Sequence, residues 1–366
     1  MVEDTSNIAY DEQRLIADRI KSLFKTRNYY LREQGAVEFE VEDDKENKEN
    51  FLKLLKEIKP MGYLAVLRRS GDYLTLIAFR KPVMKARRLR LNLILLLATL
   101  GTVTADGFFK SSSYPGNLMI MIGLYAIGIM GIIGVHEMGH KLASAIHGVQ
   151  SSPPYFIPGI PGALPTLGAV ITSSEPPANR DSLFDLGISG PLAGLVVTLL
   201  VAVGGALTSA AVPLEELSRQ AAAGKVQIVS NLDLFTEYLL SIFAPQRVGT
   251  GLVLSPLIFA SSLGFLITFL NLMPAWQLDG GHVARAVLSP KLHKILTYAS
   301  IIVLFVTGFQ LMAILILVLS MRSPEMKPLD DVSPISKNRK IVFICIWIIA
   351  ALIYVFAIQG NPFFFR

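Results

Sequence analysis

From Leu118 to Val135 the chain runs eighteen residues without a charge. It then passes, with no turn signal between, straight into His136-Glu137-Met138-Gly139-His140. A run of that length crosses the roughly 30 Å hydrocarbon core of a bilayer as a helix, where each backbone polar group must be satisfied within the segment. Ionisable side chains at membrane depth are costly and mark a functional site by default. The chain therefore has to fold around a polar centre held among apolar helices.

Charge is distributed to match. Residues 1–90 hold 34 of the 62 charged side chains, which leaves too few for the remaining 276 residues to present a water-facing surface. Further apolar runs cover Leu91 to about Ala105, Leu183 to about Ala206, Gly251 to Leu272, Ile295 to Met321 and Ile341 to about Ile358. The expected fold is an α-helical polytopic membrane protein of about six transmembrane helices with a small amino-terminal α/β soluble domain. The boundary is placed between residues 1–82 and 83–366.

Within the first domain, residues 12–34 read as a charged helix and Ala36–Glu42 alternates as a strand. A second, amphipathic helix carries Phe51, Leu52, Leu54, Leu55 and Ile58 on its apolar side, and a hairpin turns at Ser70-Gly71-Asp72. No catalytic constellation is visible there. The net charge of +6 calls for no nucleic-acid partner. Its basic cluster, Arg80, Lys81, Lys85, Arg87, Arg88 and Arg90, lies where the cytoplasmic flank of a first span is expected. This sets the protein in the cell membrane, multi-pass, with the amino-terminal domain cytoplasmic. Loop 322–340, with five Lys/Arg against three Asp/Glu, conflicts with six single spans, which would put it outside. A fifth span broken into a hairpin near Gly308 is the alternative.

On a helix, positions i and i+4 lie about 6 Å apart along the axis on one face, so His136 and His140 can offer imidazole nitrogens to one metal. Glu137, about 100° further round, can reach a water beside it. Zinc suits such nitrogen and oxygen donors and commonly takes three protein ligands. His147 is about 10 Å along the axis from His140, too far to be the third. Asp279, in Asn271–Gly281 (NLMPAWQLDGG), is the only carboxylate between Glu237 and Glu325, and the two glycines after it permit close backbone approach. A helix-capping role for Asp279 is the plainer alternative. Gly123, Gly128, Gly131 and Gly134 on the second span suit close helix contact around a pocket or ordinary packing equally well. The proline-rich stretch 151–174 reads as a loop dipping into the membrane, or as a surface loop.

An HExxH sequence ending a transmembrane helix, with N-x-x-P-x-x-x-L-D-G-G far downstream, resembles the site-2 protease family of intramembrane zinc metalloproteases. The matching residues are His136, Glu137 and His140, then Asn271, Pro274, Leu278, Asp279, Gly280 and Gly281. Gly162–Ser174 and Asn179–Gly194 are similar to the family's intervening loop and third helix, and the charged front domain resembles archaeal and plastid-type members. The resemblance makes residues 83–366 a transmembrane metalloprotease domain acting on peptide bonds within or beside transmembrane segments, as in regulated intramembrane proteolysis. It implies one zinc ion per chain on His136, His140 and Asp279, Glu137 as general base and proton donor, and Asn271 binding substrate backbone or the oxyanion. The partners it implies are transmembrane protein substrates and the lipid bilayer. The rival reading, a metal-binding membrane transporter without hydrolysis, expects polar residues along further spans; spans one, five and six offer almost none.

Overall fold

The computed structural model describes residues 2–32, 35–82, 89–224, 226, 232–322 and 326–361. Three members of the basic cluster, Lys85, Arg87 and Arg88, lie outside these. The chain divides into two units: Met1–Ala86 with Ser174–Leu183 and Met326–Arg339, and Arg87–Ser173 with Phe184–Glu325 and Lys340–Arg366.

The first unit contains α1 (Val2–Leu23), β1 (Thr26–Leu31), β2 (Val37–Val41), α2 (Asn47–Ile58), β3 (Tyr63–Ser70) and β4 (Tyr73–Arg80). Its antiparallel sheet has the order β1-β2-β4-β3. The charged helix expected over 12–34 ends early, because residues 26–31 form an edge strand. Arg27 and Arg32 pair there with Glu42 and Glu38 across from β2, cross-strand ion pairs that a polar sequence does not announce. Ile16 and Ile20 of α1 and Phe51, Leu54, Leu55 and Ile58 of α2 bury against alternate residues of the sheet, including Phe39, Leu67, Leu74 and Leu76, while Leu52 stays exposed.

Two distant segments complete this unit. Leu67 of β3, on a sheet edge, donates its N–H to the carbonyl of Leu329 at 2.9 Å, and Leu329 and Asp330 donate to the carbonyls of Pro177 and Ala178 at 2.8 and 2.9 Å. Lys59 and Lys81 meet the buried Glu175 at 2.7 and 2.9 Å, and Asp181 takes Lys48 and Arg339. The loop 326–339 thus sits with the amino-terminal sheet.

The second unit is mostly helical: α3 (Leu89–Ser111), α4 (Leu118–Ile146), β5 (Tyr155–Ile160), β6 (Leu164–Val170), α5 (Arg180–Thr208), β7 (Ala210–Pro213), α6 (Leu214–Ala222), α7 (Leu234–Phe243), β8 (Thr250–Val253), α8 (Pro256–Leu272), α9 (Asp279–Val287), α10 (Pro290–Val306), α11 (Gln310–Arg322) and α12 (Lys337–Ile353), the last continued by a wider turn to Ile358. Among the described residues four helices are long and apolar enough to cross a membrane: α3, α4, α5 and α12 with its continuation. The apolar runs of the sequence predict about six. The fourth expected run is helical only from Pro256, because residues 250–253 pair with β7. The resulting 17-residue α8 is buried on nearly all sides by protein. The fifth run breaks at Gly308, whose φ of 96° ends one helix and lets α11 fold back, which is the hairpin alternative.

Local signals set the helix starts. Asn117 accepts from the Ile120 N–H ahead of α4, and Ser255 accepts from Leu257 with Pro256 in the first turn of α8. Before α5, Asn179 and Ser182 bond reciprocally, side chain to backbone, and Arg180 holds the carbonyl of Asp331 at 2.9 Å. Both residues are anchors of the helix start.

Candidate metal centre

The site is built where the last turns of α4 meet α5, the end of α8 and the start of α9. The chain leaves α8 at Leu272 and reverses within six residues. Trp276 takes the left-handed conformation (φ 45°), its N–H donating to Thr297 Oγ1 at 3.0 Å. The reversal lays α9 so tightly on the end of α8 that a Cβ on Gly280 would overlap the carbonyl of Leu272. Asp279, the first residue of α9, is thereby brought back against the histidines of α4.

Nε2 of His136 lies 3.3 Å from one carboxylate oxygen of Asp279, and Nε2 of His140 lies 3.3 Å from the other. The two imidazole nitrogens are 3.2 Å apart. Three donors around one tetrahedral zinc, each about 2.0–2.1 Å from it, stand about 3.3 Å from one another, and one nitrogen from each histidine and one Asp279 oxygen all lie within 4.8 Å of one another, close enough to share one ion. The tautomer also fits. Nδ1 of His140 is 2.8 Å from the carbonyl of Leu186, which can only accept, so Nδ1 carries the proton and Nε2 turns its lone pair toward the centre. Among the described residues, no other set of three His, Cys, Asp or Glu side chains converges in this way.

Glu137 is buried beside His136 and lies within electrostatic reach of His140 and Asp279. Asn271, in the last turn of α8, places its amide nitrogen 3.4 Å from Nε2 of His136, which puts it at the rim of the centre. His147 instead meets Asp185 at 2.9 Å, about two turns beyond His140. The side chains of His140 and Asp279 keep 17% and 18% of their surface uncovered by protein, so the centre is open on one side.

The wall behind the histidines carries no charged or ligating side chain that would mark it in the sequence. Gly187, Gly190 and Gly194 line one face of α5: a Cβ on Gly190 would overlap Nε2 of His140, one on Gly194 would come 3.1 Å from Cβ of His136, and one on Gly187 would come 2.7 Å from the carbonyl of Asp279. Their spacing of three and four residues on an apolar run was the available signal. Of the glycines noted on α4, Gly123 and Gly134 face open space and Gly131 has only an ordinary neighbour at 3.9 Å; Gly128 alone packs closely, on Leu257 and Ala260 of α8. Span one is also more polar than expected: Asn92, Thr99, Asp106 and Ser111 of α3 are buried.

Comparison with known proteins supports the same assignment. Residues 124–315 match the family model described as peptidase family M50. The chain is 26% identical to the probable zinc metallopeptidase EGY3, chloroplastic, of Arabidopsis thaliana over 58% of its own length and 39% of the relative's. It is 26% identical to the probable zinc metalloprotease EGY2, chloroplastic, of the same plant over 63% and 41%, and 30% identical to EGY1 over 44% and 28%. The alignments thus cover well under half of each relative's length. No solved structure matches the chain. The matched span takes in both halves of the metal triangle, more than half of the chain, and the protein belongs to peptidase family M50, the site-2 protease family.

Proposed function

We propose that the protein is an intramembrane zinc metalloprotease that hydrolyses peptide bonds within or next to transmembrane segments of membrane proteins, in the manner of regulated intramembrane proteolysis. The observation that carries this reading is the triangle of His136, His140 and Asp279 on a 29-residue apolar helix and the chain reversal packed against it. Zinc bound by these three residues would polarise a carbonyl and lower the pKa of water from 15.7 to about 7. Glu137 takes the proton of the attacking water and passes it to the leaving amine. Asn271 donates its amide to the substrate backbone or to the oxyanion. The glycine face of α5 fixes the imidazole rings, so the ligands need little rearrangement.

The reading extends to architecture. The four long helices and α8 make five crossings, the α10–α11 hairpin enters and leaves on one side as a sixth membrane segment, and the proposed functional division is 1–82 and 83–366. Residues 326–339 share a unit with the amino-terminal sheet, so loop 322–340 and the basic flank of α3 fit one cytoplasmic side. Among the described residues, strands β5 and β6 pair only with each other, and the free edge of this hairpin suits an extended substrate segment.

Purified protein incubated with single-span membrane substrates tests the proposal. Cleavage by wild type that a chelator abolishes, and that is absent in Glu137→Gln and Asp279→Ala, is the expected result; equal turnover by Glu137→Gln would refute the assigned base.

A further inference from the structure

Asp106 is 1% exposed inside α3, in a helix long and apolar enough to span the membrane, and nothing in the metal centre uses it. Its two carboxylate oxygens face different elements. One accepts the hydroxyl of Tyr125, buried in α4 eleven residues before His136. The other accepts the N–H of Gly162 at 2.6 Å. Gly162 is the turn between β5 and β6, with a φ of 86° that glycine adopts without strain.

The same helix grips the hairpin at two more heights. The side-chain amide of Asn92 donates to the carbonyls of Pro153 and Pro154 at its base, 3.1 and 3.0 Å, and Thr102 donates to the carbonyl of Pro165 in β6 at 2.8 Å. From Asn92 to Asp106 the helix rises about 21 Å. The eight residues from Pro154 to Gly162 span about 26 Å when extended, so strand and helix run side by side over most of a membrane's thickness. Prolines at 153, 154, 158, 161 and 165 lack the N–H groups that a lipid-facing strand would otherwise have to satisfy.

We propose that Asp106 is a positioning residue that latches the tip of the β5–β6 hairpin to the catalytic helix through Tyr125 and so sets the depth at which a substrate segment lies beside the metal centre. This rests on the proteolytic reading above for its consequence, but not for its mechanics. A buried carboxylate with both oxygens engaged is justified only where it holds two partners in one arrangement. The partners here are the hairpin's turn and the helix that carries both histidines.

The test uses the full-length protein in lipid, with Cys345 replaced by serine and a spin label on cysteine at Ala163, beside the latch. Asp106→Leu should convert an immobilised spectrum into a mobile one. Asp106→Asn, which keeps an acceptor for Gly162, should stay close to wild type, and Tyr125→Phe provides a milder lesion if the leucine variant folds poorly. With a single-span substrate, Asp106→Leu should raise KM on the order of tenfold, with kcat and bound zinc within about twofold of wild type. An unchanged spectrum in both Asp106→Leu and Tyr125→Phe would overturn the latch, and a mobile hairpin with unchanged KM would overturn its part in substrate placement. Failure of the wild-type protein to cleave any substrate would count against the protease reading, and the spin-label result would still decide the latch.

Discussion

Gly190 on α5 leaves no room beside Nε2 of His140 on α4: the nearest atom that any added side chain would meet is that nitrogen itself. The carbonyl of Leu186, one turn earlier on the same helix, fixes the other nitrogen of that ring at 2.8 Å. Helix α5 therefore orients the imidazole from two directions, although it offers no side chain to the candidate metal centre.

It follows that Gly190→Ala should lower zinc affinity by about 10- to 100-fold, the range found when the groups that orient a ligand are disturbed. Gly134→Ala, on a position of α4 that faces open space, should bind as wild type does. Competition with a chromogenic chelator measures both.

Glu137→Gln should keep its zinc and lose activity by about 10²- to 10⁴-fold, the contribution typical of a positioned proton-transfer group. Zinc content and turnover measured on one preparation separate this outcome from a loss of the site.

Much of this was legible in the sequence, and the boundary of what was legible has a physical cause. His136, Glu137 and His140 are fixed by local helix spacing, and Asp279 stood out as a lone carboxylate in apolar surroundings. The reversal at Trp276 that joins them is long-range, and only the pair Gly280-Gly281 hinted at its tightness. The edge strand β1 was hidden because its residues are polar and its stability comes from pairing with β2. The recruitment of 174–183 and 326–339 to the sheet depends on backbone bonds between segments about 150 and about 260 residues apart, which no local pattern encodes. Asp106 fell one residue outside the expected first span, and its importance shows only when the hairpin folds back onto α3.

Glu175 gives a pH prediction outside the membrane. Burial alone would raise its pKa, but hydrogen bonds from Lys59 and Lys81 outweigh this and hold it below the usual carboxylate value. A depressed pKa in the folded state contributes stability above the unfolded value, about 4.3, and that contribution is lost as pH falls through the folded value. Glu175→Gln should therefore destabilise the unit at pH 7 by about 1.5–3 kcal/mol. The difference from wild type should shrink below pH 4, as followed by thermal unfolding across a pH series.

Sidedness follows from the shared unit of residues 326–339 and the amino-terminal sheet. In a Cys345→Ser background, single cysteines at Asp72 and Lys327, both exposed, should react with an impermeant maleimide from the same face of sealed vesicles. Labelling from opposite faces would contradict the α10–α11 hairpin.

The most direct test of the joint metal centre is the zinc content of the purified full-length protein, by elemental analysis, for wild type, His136→Ala and Asp279→Ala. The account predicts one zinc per wild-type chain and strong loss in both variants. A wild-type protein without zinc, or an Asp279→Ala variant that retains it fully, would contradict it.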